Sequence, residues 1–344
     1  MLTQIFHLHA LSALHVGSGQ ALGAVDLPVA RARATHLPIV PGSALKGVLR
    51  DEFAADERQQ KTLLTLFGPP SIDSGDAAYA GALAFGDAQL LLLPVRSLAG
   101  IVAFVTCPFV LARYAEDLRR ETLAAPTAAA AGGAVGVVPA APTVREPPAV
   151  PPVDEQQALV CQSTKIIAQH KPGTLVVLED LDLRASGQNA GPHGAAPGAD
   201  AWAERIAARV HPGDKKWQAL LGERFAIISD ADFSFLADTA TEVRARIRID
   251  DSRGVVDNGA LWYEENLPAE TVLWGQIAAG PARDGQPLAA AQTLAAFRAG
   301  LAGNGHGALT LQIGGKATIG RGLVRFVLPP AADKAAGGGR GDKR

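Results

Sequence analysis

The clearest hydrophobic rhythm in the chain has period two. Val243, Ala245, Ile247 and Ile249 alternate with Arg244, Arg246, Arg248 and Asp250, which predicts a strand with one apolar face and a row of arginines on the other. A turn at Asp251–Gly254 and a return strand through Leu261 and Trp262 complete a β-hairpin. A second alternation sets Phe6, Leu8 and Ala10 against His7 and His9 and predicts an N-terminal strand over 4–11 with one buried face. Apolar runs predict further strands at 82–94, 100–106, 225–229, 308–313 and 323–329. Helical spacing follows Pro41-Gly42-Ser43, where Ser43 reads as the N-cap and Leu45, Val48, Leu49 and Phe53 as the buried face. It recurs after Pro108 (Val110, Tyr114, Leu118), at 201–210, after Asp230 as a cap (Phe233, Leu236, Ala237, Ala240) and at 287–301. No regular βαβ beat emerges, so an α+β architecture on an antiparallel sheet fits better than a doubly wound one.

Two stretches break the pattern. Residues 124–152 are dominated by alanine, glycine and proline, and residues 185–200 look the same. Neither offers enough apolar surface to offset its ordering entropy, so both read as loose insertions in one domain spanning 1–330. The Gly-rich 331–344 reads as a disordered tail.

Composition narrows the function classes. With 48% hydrophobic and 19% charged residues and a formal net charge of -2, the chain is not a globally basic nucleic-acid binder, so any such binding must use local basic strips. The two cysteines, Cys107 and Cys161, form no C-x-x-C pair, which fits a reducing compartment and argues against a structural zinc site. The first residues carry three histidines and no basic n-region, and no run reaches the ~20 apolar residues that span a bilayer. A soluble, cytoplasmic protein with no membrane partner is expected.

Four places could carry chemistry. The first loop, from His15 to Arg31, holds glycines at 17, 19 and 23 but no G-x-G-x-x-G, so a dinucleotide site is excluded and a flexible turn is the simpler reading. In it, Asp26 is either a turn residue or a carboxylate that acts on a reacting hydroxyl or binds a divalent cation, and His15 lies across the loop from it. The helix start PGSALKG places Ser43 and Lys46 where a phosphate could bind, or is an ordinary capped helix. The arginine row at 244, 246 and 248 repels itself unless anions neutralise it, with RNA or DNA backbone the leading ligand; a solvated face near Asp250, Asp251 or Glu264 is the alternative. The loop GGKATIGRG, with Lys316 and Arg321, is richer in glycine than a hairpin turn needs and suggests a backbone-lined groove for a nucleic-acid strand. Metalloprotease, nucleophile-elbow and kinase motifs are absent.

Taken together, LHVGSGQALGAVDLPVARARAT, LPIVPGSALKGVLRDEF, LFGPP, GALAFGDAQLLLLPVRSLAGIVAFVTCP, RIRIDDSRGVVDNGALWYEENLPAETVL and IGGKATIGRGLVRF resemble the RAMP-type backbone subunits of type III CRISPR effector complexes, most of all that of the type III-B (Cmr) complex. The segments follow the family's order over most of the chain; the two low-complexity stretches fall outside. The resemblance implies a palm related to the RNA-recognition motif, a modified ferredoxin-like sheet, with inserted fingers and a β-hairpin thumb at 243–266. It implies copies stacked head to tail along a CRISPR guide RNA, in company with other Cmr subunits, each thumb displacing one nucleotide of the duplex with a single-stranded target RNA. It makes Asp26 the catalytic residue of a metal-dependent endoribonuclease (Mg or Mn), acting where the distorted phosphodiester is open to in-line attack by the 2′-OH. His15 and Glu264 match supporting positions, Glu265 being adjacent, and Asn266 stands where other members carry a tyrosine. Ser43, Lys46, Arg50 and Arg321 match guide-backbone contacts, and guide–target pairing, not this protein, would read sequence. Two other readings remain open: a structural guide-binding subunit without catalysis, and a guide-processing ribonuclease that acts alone.

Overall fold

A computed structural model describes residues 1–19, 25–55, 60–69, 79–121, 146–170, 173–186, 198–250, 253, 255–301 and 308–329. The expected tail, the turn residues 251, 252 and 254, and most of both low-complexity stretches lie outside these.

Helices and strands are mixed, as an α+β chain requires. The strands are β1 (Leu2–Ala10), β2 (Ile39–Val40), β3 (Leu83–Phe85), β4 (Ala88–Ser97), β5 (Ile101–Thr106), β6 (Gln157–Val160), β7 (Ile167–His170), β8 (Gly173–Leu178), β9 (Leu181–Ser186), β10 (Phe225–Ile228), β11 (Glu242–Asp250), β12 (Val255–Asn266), β13 (Val272–Ala279), β14 (Ala308–Gln312) and β15 (Leu323–Val327). The helices are α1 (Gly42–Ala55), α2 (Gln60–Phe67), α3 (Pro108–Arg120), α4 (Gly198–Val210), α5 (Lys215–Arg224), α6 (Asp230–Thr239) and α7 (Ala290–Leu301). One sheet runs β14-β15-β1-β13-β4-β5-β10-β6-β9-β8-β7, with β2 beside β4 and β3 beside β13. Most pairings are antiparallel, but β5–β10 and β6–β9 are parallel, which amends the all-antiparallel expectation.

Helices cover both faces of this sheet. Phe6, Leu8 and Ala10 join the core formed with α1, α2 and α7, where Phe53 stacks on Phe297 at 5.5 Å between ring centres. On the other face, Ile5 and Trp274 pack with α3, α4 and α6 around Tyr114 and Trp202. β1 is therefore buried on both faces, not one. Its histidines are tolerated because each finds a partner: His7 Nε2 bonds the Tyr114 hydroxyl at 2.8 Å, and His9 Nε2 meets Glu270 at 2.6 Å.

Two expected caps act differently. Ser229, not Asp230, caps α6, its hydroxyl accepting from Asp232 N at 3.0 Å. Asp230 instead accepts from Phe109 N at 2.9 Å and so serves the proline-led start of α3. Ser43 is no cap either: α1 begins one residue earlier, and Gly42 N donates to Asp87 across the fold at 2.8 Å. The end of the first low-complexity stretch is not loose. Trp202 Nε1 donates to Ala149 O at 3.0 Å and Arg205 to Glu146 O at 3.2 Å, which lays 146–151 along α4.

The expected hairpin forms a separate two-stranded sheet, β11–β12, with a register irregularity between Ile247 and Ile249. Its apolar row is about half exposed, at Val243, Ile247, Ile249 and Leu261 alike. No helix among the described residues is long and apolar enough to cross a membrane.

Candidate active site

The first loop folds back as two arms that pair with each other and with the end of β12. Ala30 N donates to Val16 O at 2.8 Å, and Leu14 and Leu267 exchange two bonds of 2.9 Å. On the second arm, Leu27 N donates to Tyr263 O at 3.1 Å and Leu27 O accepts from Glu265 N at 3.0 Å. Sequence distance is thereby erased: residues near 15 and 26 meet residues near 264.

Three predicted catalytic residues converge on three consecutive positions of β12. Asp26 is exposed, and its Oδ2 accepts from Tyr263 N at 2.7 Å, while its other carboxylate oxygen has no partner among the described residues. His15 is buried, and its Nδ1 lies 2.7 Å from Glu265 O. A carbonyl only accepts, so Nδ1 carries the proton and Nε2 is the nitrogen left to accept or donate another. A Cβ on Gly17 would stand 2.9 Å from that Nε2, so glycine keeps the ring edge open. Between these two anchors lies Glu264, its side chain 2% exposed.

Glu264 is not an unpaired carboxylate. It accepts from Trp262 Nε1 at 2.8 Å, Lys316 Nζ at 2.9 Å and Arg246 Nε at 3.3 Å. Burial pushes its carboxyl up, but the bonds from Lys316, Trp262 and Arg246 outweigh that and hold it below the usual glutamate value. It is an anion that fixes two cations beside Asp26 and His15. Lys316 also lies over the Trp262 ring, 5.9 Å from its centre.

Two glycines of GGKATIGRG have an internal cause. Gly314 has φ +83 and a Cβ there would lie 2.2 Å from His15 O; Gly322 has φ +78 and would meet Ile313 O at 2.1 Å. Gly315 N donates to His15 O at 3.0 Å. Gly314 and Gly322 are thus required by the chain's own backbone, Gly314 by its approach to His15 O, whereas at Gly320 nothing lies within 4 Å of a Cβ. Of the loop's two cations, Lys316 is held by Glu264, and Arg321 Nε is buried with no hydrogen-bond partner among the described residues.

The arginine row is partly compensated. Arg244 pairs with Glu242 at 2.7 Å and Arg246 with Glu264, while Arg248 is exposed and shows no ion pair among the described residues. Ser43, Lys46 and Arg50 sit on α1, and no hydrogen bond or ion pair among the described residues joins them to the Asp26 cluster. Ser43 is exposed, and Arg50 donates to Gly68 O at 2.8 Å. Lys46 lines a cleft of about 270 Å³ with Gly81, Gly280 and Arg283.

Sequence reasoning noted Glu265 only as a neighbour and missed Arg31. Glu265 Oε2 accepts from Val29 N at 2.9 Å and Oε1 from Arg31 Nη2 at 2.6 Å. The only available signal was the ARAR spacing after Asp26, which names no partner 234 residues away. Asn266 is buried, with Nδ2 3.4 Å from Glu242 O and Glu264 O.

A family model described as the RAMP superfamily matches residues 7–325. The CRISPR system Cmr endoribonuclease Cmr4 of Pyrococcus furiosus is 31% identical over 325 residues, 93% of this chain and 94% of that one. The crystal structure of oligomeric Cmr4 from Pyrococcus furiosus superposes with a TM-score of 0.62 at 24% identity, covering 96% of this chain and 98% of that chain. A chain of the type III-B Cmr-beta complex bound to cognate target RNA superposes at 0.63, with 18% identity and coverage of 95% and 97%. At those identities the two structures speak to fold alone.

Proposed function

The chain belongs to the RAMP superfamily, and from that premise we propose that it is the repeating backbone subunit of a type III-B CRISPR ribonucleoprotein that cuts target RNA through Asp26. The carrying observation is the convergence of Asp26, Glu264 and His15 on Tyr263–Glu265, at the base of the arginine-bearing hairpin. In this reading β11–β12 is the thumb, the main sheet with its helices is the palm, and copies stack along a guide RNA with other Cmr subunits.

RNA contacts divide by chemistry. Lys46, Arg50 and the α1 start take guide phosphates, with Ser43 exposed beside them. Arg321 takes the same role on the family's pattern, and its buried Nε is not the atom that a phosphate would meet. Arg244, Arg246, Arg248 and Lys316 line the hairpin side, with Arg248 the least compensated.

The donor set constrains any metal. Among the described residues no group of three or more His, Cys, Asp or Glu side chains could hold an ion. Asp26 offers one oxygen without a partner among those residues, and Glu264 is already neutralised by Lys316 and Arg246. Asp26 would therefore be the residue that holds Mg2+ or Mn2+, without an all-protein cage. When bound, such an ion offsets charge on the phosphate and acidifies the attacking 2′-OH. Asp26 orients the hydroxyl from its anchor on Tyr263. His15 moves a proton at Nε2, its ring fixed through Nδ1. Lys316, held by Glu264, would face the negative charge that builds on the non-bridging phosphate oxygens. Attack by the 2′-OH leaves a 2′,3′-cyclic phosphate and a free 5′-OH.

The test is Asp26→Ala in the reconstituted guide complex. It should assemble and bind target RNA yet lose cutting, and wild-type products should carry cyclic phosphate ends. Normal cutting by Asp26→Ala sinks the catalytic reading and leaves the structural one.

A further inference from the structure

Asp26 can act only if its segment holds one register against β12, and the backbone specifies that register weakly. Among the described residues the segment pairs with β12 through Leu27 alone, which bonds Tyr263 O and Glu265 N, its other backbone bonds going to the first arm and to β2. A one-residue slip in so short a ladder would turn Asp26 to the opposite side and remove its bond from Tyr263 N.

Glu265 supplies what the ladder lacks. Its carboxylate accepts from Val29 N at 2.9 Å and Arg31 Nη2 at 2.6 Å, and its own amide donates to Leu27 O. Its carbonyl receives His15 Nδ1. One residue thus grips both arms of the loop. Arg31 carries the reference further: Nη1 donates to Asp238 Oδ1 at 2.9 Å and His36 O at 3.0 Å, and Nη2 to Ala237 O at 3.1 Å. Asp238 lies near the end of α6, so the register is tied to the main body and not only to the hairpin. The Arg31 and Glu265 side chains are 12% and 7% exposed, so water competes little.

Successive residues of a strand point to opposite sides, so Glu264 faces Lys316 and Arg246 while Glu265 faces Val29 and Arg31. Glu265 is therefore turned away from the cations proposed to meet RNA. We infer that Glu265, with Arg31, is a positioning residue that locks the register of the Asp26 segment; this rests on the proposed role of Asp26. The site needs an acceptor on both sides and a donor on neither. Glutamate meets that, whereas glutamine has one acceptor oxygen and would aim its amide hydrogens at a donor.

The experiment is single-turnover cleavage of pre-bound target by the reconstituted guide complex carrying Glu265→Gln, Glu265→Ala, Arg31→Met, or Arg31→Met with Glu265→Gln, with Asp26→Ala alongside. We expect Glu265→Gln to slow cutting by about 10- to 100-fold, since small displacements of reacting groups cost that much. Target affinity should stay within about twofold, because affinity rests on phosphate contacts and the Glu265 side chain faces away from the cations that would make them. The glutamine change should have little further effect on top of Arg31→Met, because both break one lock. Glu265→Gln keeps the shape, so it carries the test should Glu265→Ala fail to assemble. Wild-type cutting by Glu265→Gln, or loss of assembly and target affinity in step with rate, overturns the inference. If Asp26→Ala also cuts normally, the reading of the reaction has failed; if Asp26→Ala is silent while Glu265→Gln cuts normally, the positioning inference alone has.

Discussion

Gly314 and Gly320 lie in one loop and share one backbone conformation, with φ +83 and +77, yet their surroundings differ. An alanine at either costs about 1–2 kcal/mol for a Cβ in the left-handed region. At Gly320 nothing lies within 4 Å of the new atom, so the cost ends there. At Gly314 the Cβ would stand 2.2 Å from His15 O, about 0.8 Å inside the 3.0 Å that real Cβ atoms keep. The His15 carbonyl must retreat, which overpacks Val16 and strains the 3.0 Å bond from Gly315 N. Overpacking adds about 1–3 kcal/mol and a lost backbone bond about 1 kcal/mol more. Gly314→Ala should therefore be about 2–4 kcal/mol less stable than Gly320→Ala by chemical denaturation. A retreat of nearly 1 Å also drags the His15 ring, so cutting by the assembled complex should fall by up to about 100-fold, while Gly320→Ala cuts normally. Equal stability of the two variants, or equal cutting, would refute the claim that this loop seats His15.

Other perturbations follow the same geometry. Glu264→Gln leaves Lys316 and Arg246 uncompensated and should cost about 1–3 kcal/mol at pH 7, moderated because both cations are about a third exposed. Because Glu264 titrates below the ordinary 4.5, its contribution is present above that pH and is lost as pH falls through the lower folded value; melting curves of wild type and variant should converge in acid. Arg248→Ala should reduce the salt slope of RNA binding by about 0.7–0.9, more than Arg244→Ala, which Glu242 already compensates; equal slopes would count against the hairpin contact. Tyr114→Phe strips the hydroxyl from His7 Nε2, in a ring whose Nδ1 has no partner among the described residues, and should cost about 1–3 kcal/mol in thermal unfolding.

Local periodicity carried the parts of the fold that obey it. The β11–β12 pair, the apolar faces of α1, α3 and α6, and β15 stand where alternation or helical spacing put them. β13 went unread because it lies at the sheet centre and is buried on both faces, so VLWGQIAA shows no alternation. β6 to β9 are only four to six residues long, too short for a clear period, and β6 is held by the distant β9 and β10. The caps failed for a related reason: Asp87 and Asp230 serve helices distant in sequence. At the candidate site, the residue types were legible but not their junction. Nothing near His15 announces the carbonyl of Glu265, and nothing near Asp26 announces the amide of Tyr263. The glycines of 314–322 were seen for what they could offer a ligand, whereas Gly314 and Gly322 are demanded by close contacts with the chain's own backbone.

The hairpin has a consequence for the chain before it meets any partner. The Leu27 segment pairs with the end of β12, and the rest of β11–β12 carries half-exposed valine and isoleucine, the composition that invites strand addition from another molecule. Arg244, Arg246 and Arg248 place a charge at every second residue of β11, on the face opposite that row, and the register shift between Ile247 and Ile249 breaks the regular ladder that a second copy would extend. The same arginines that would meet RNA thus act as gatekeepers on an unassembled subunit, keeping an unoccupied hairpin from becoming a template for aggregation.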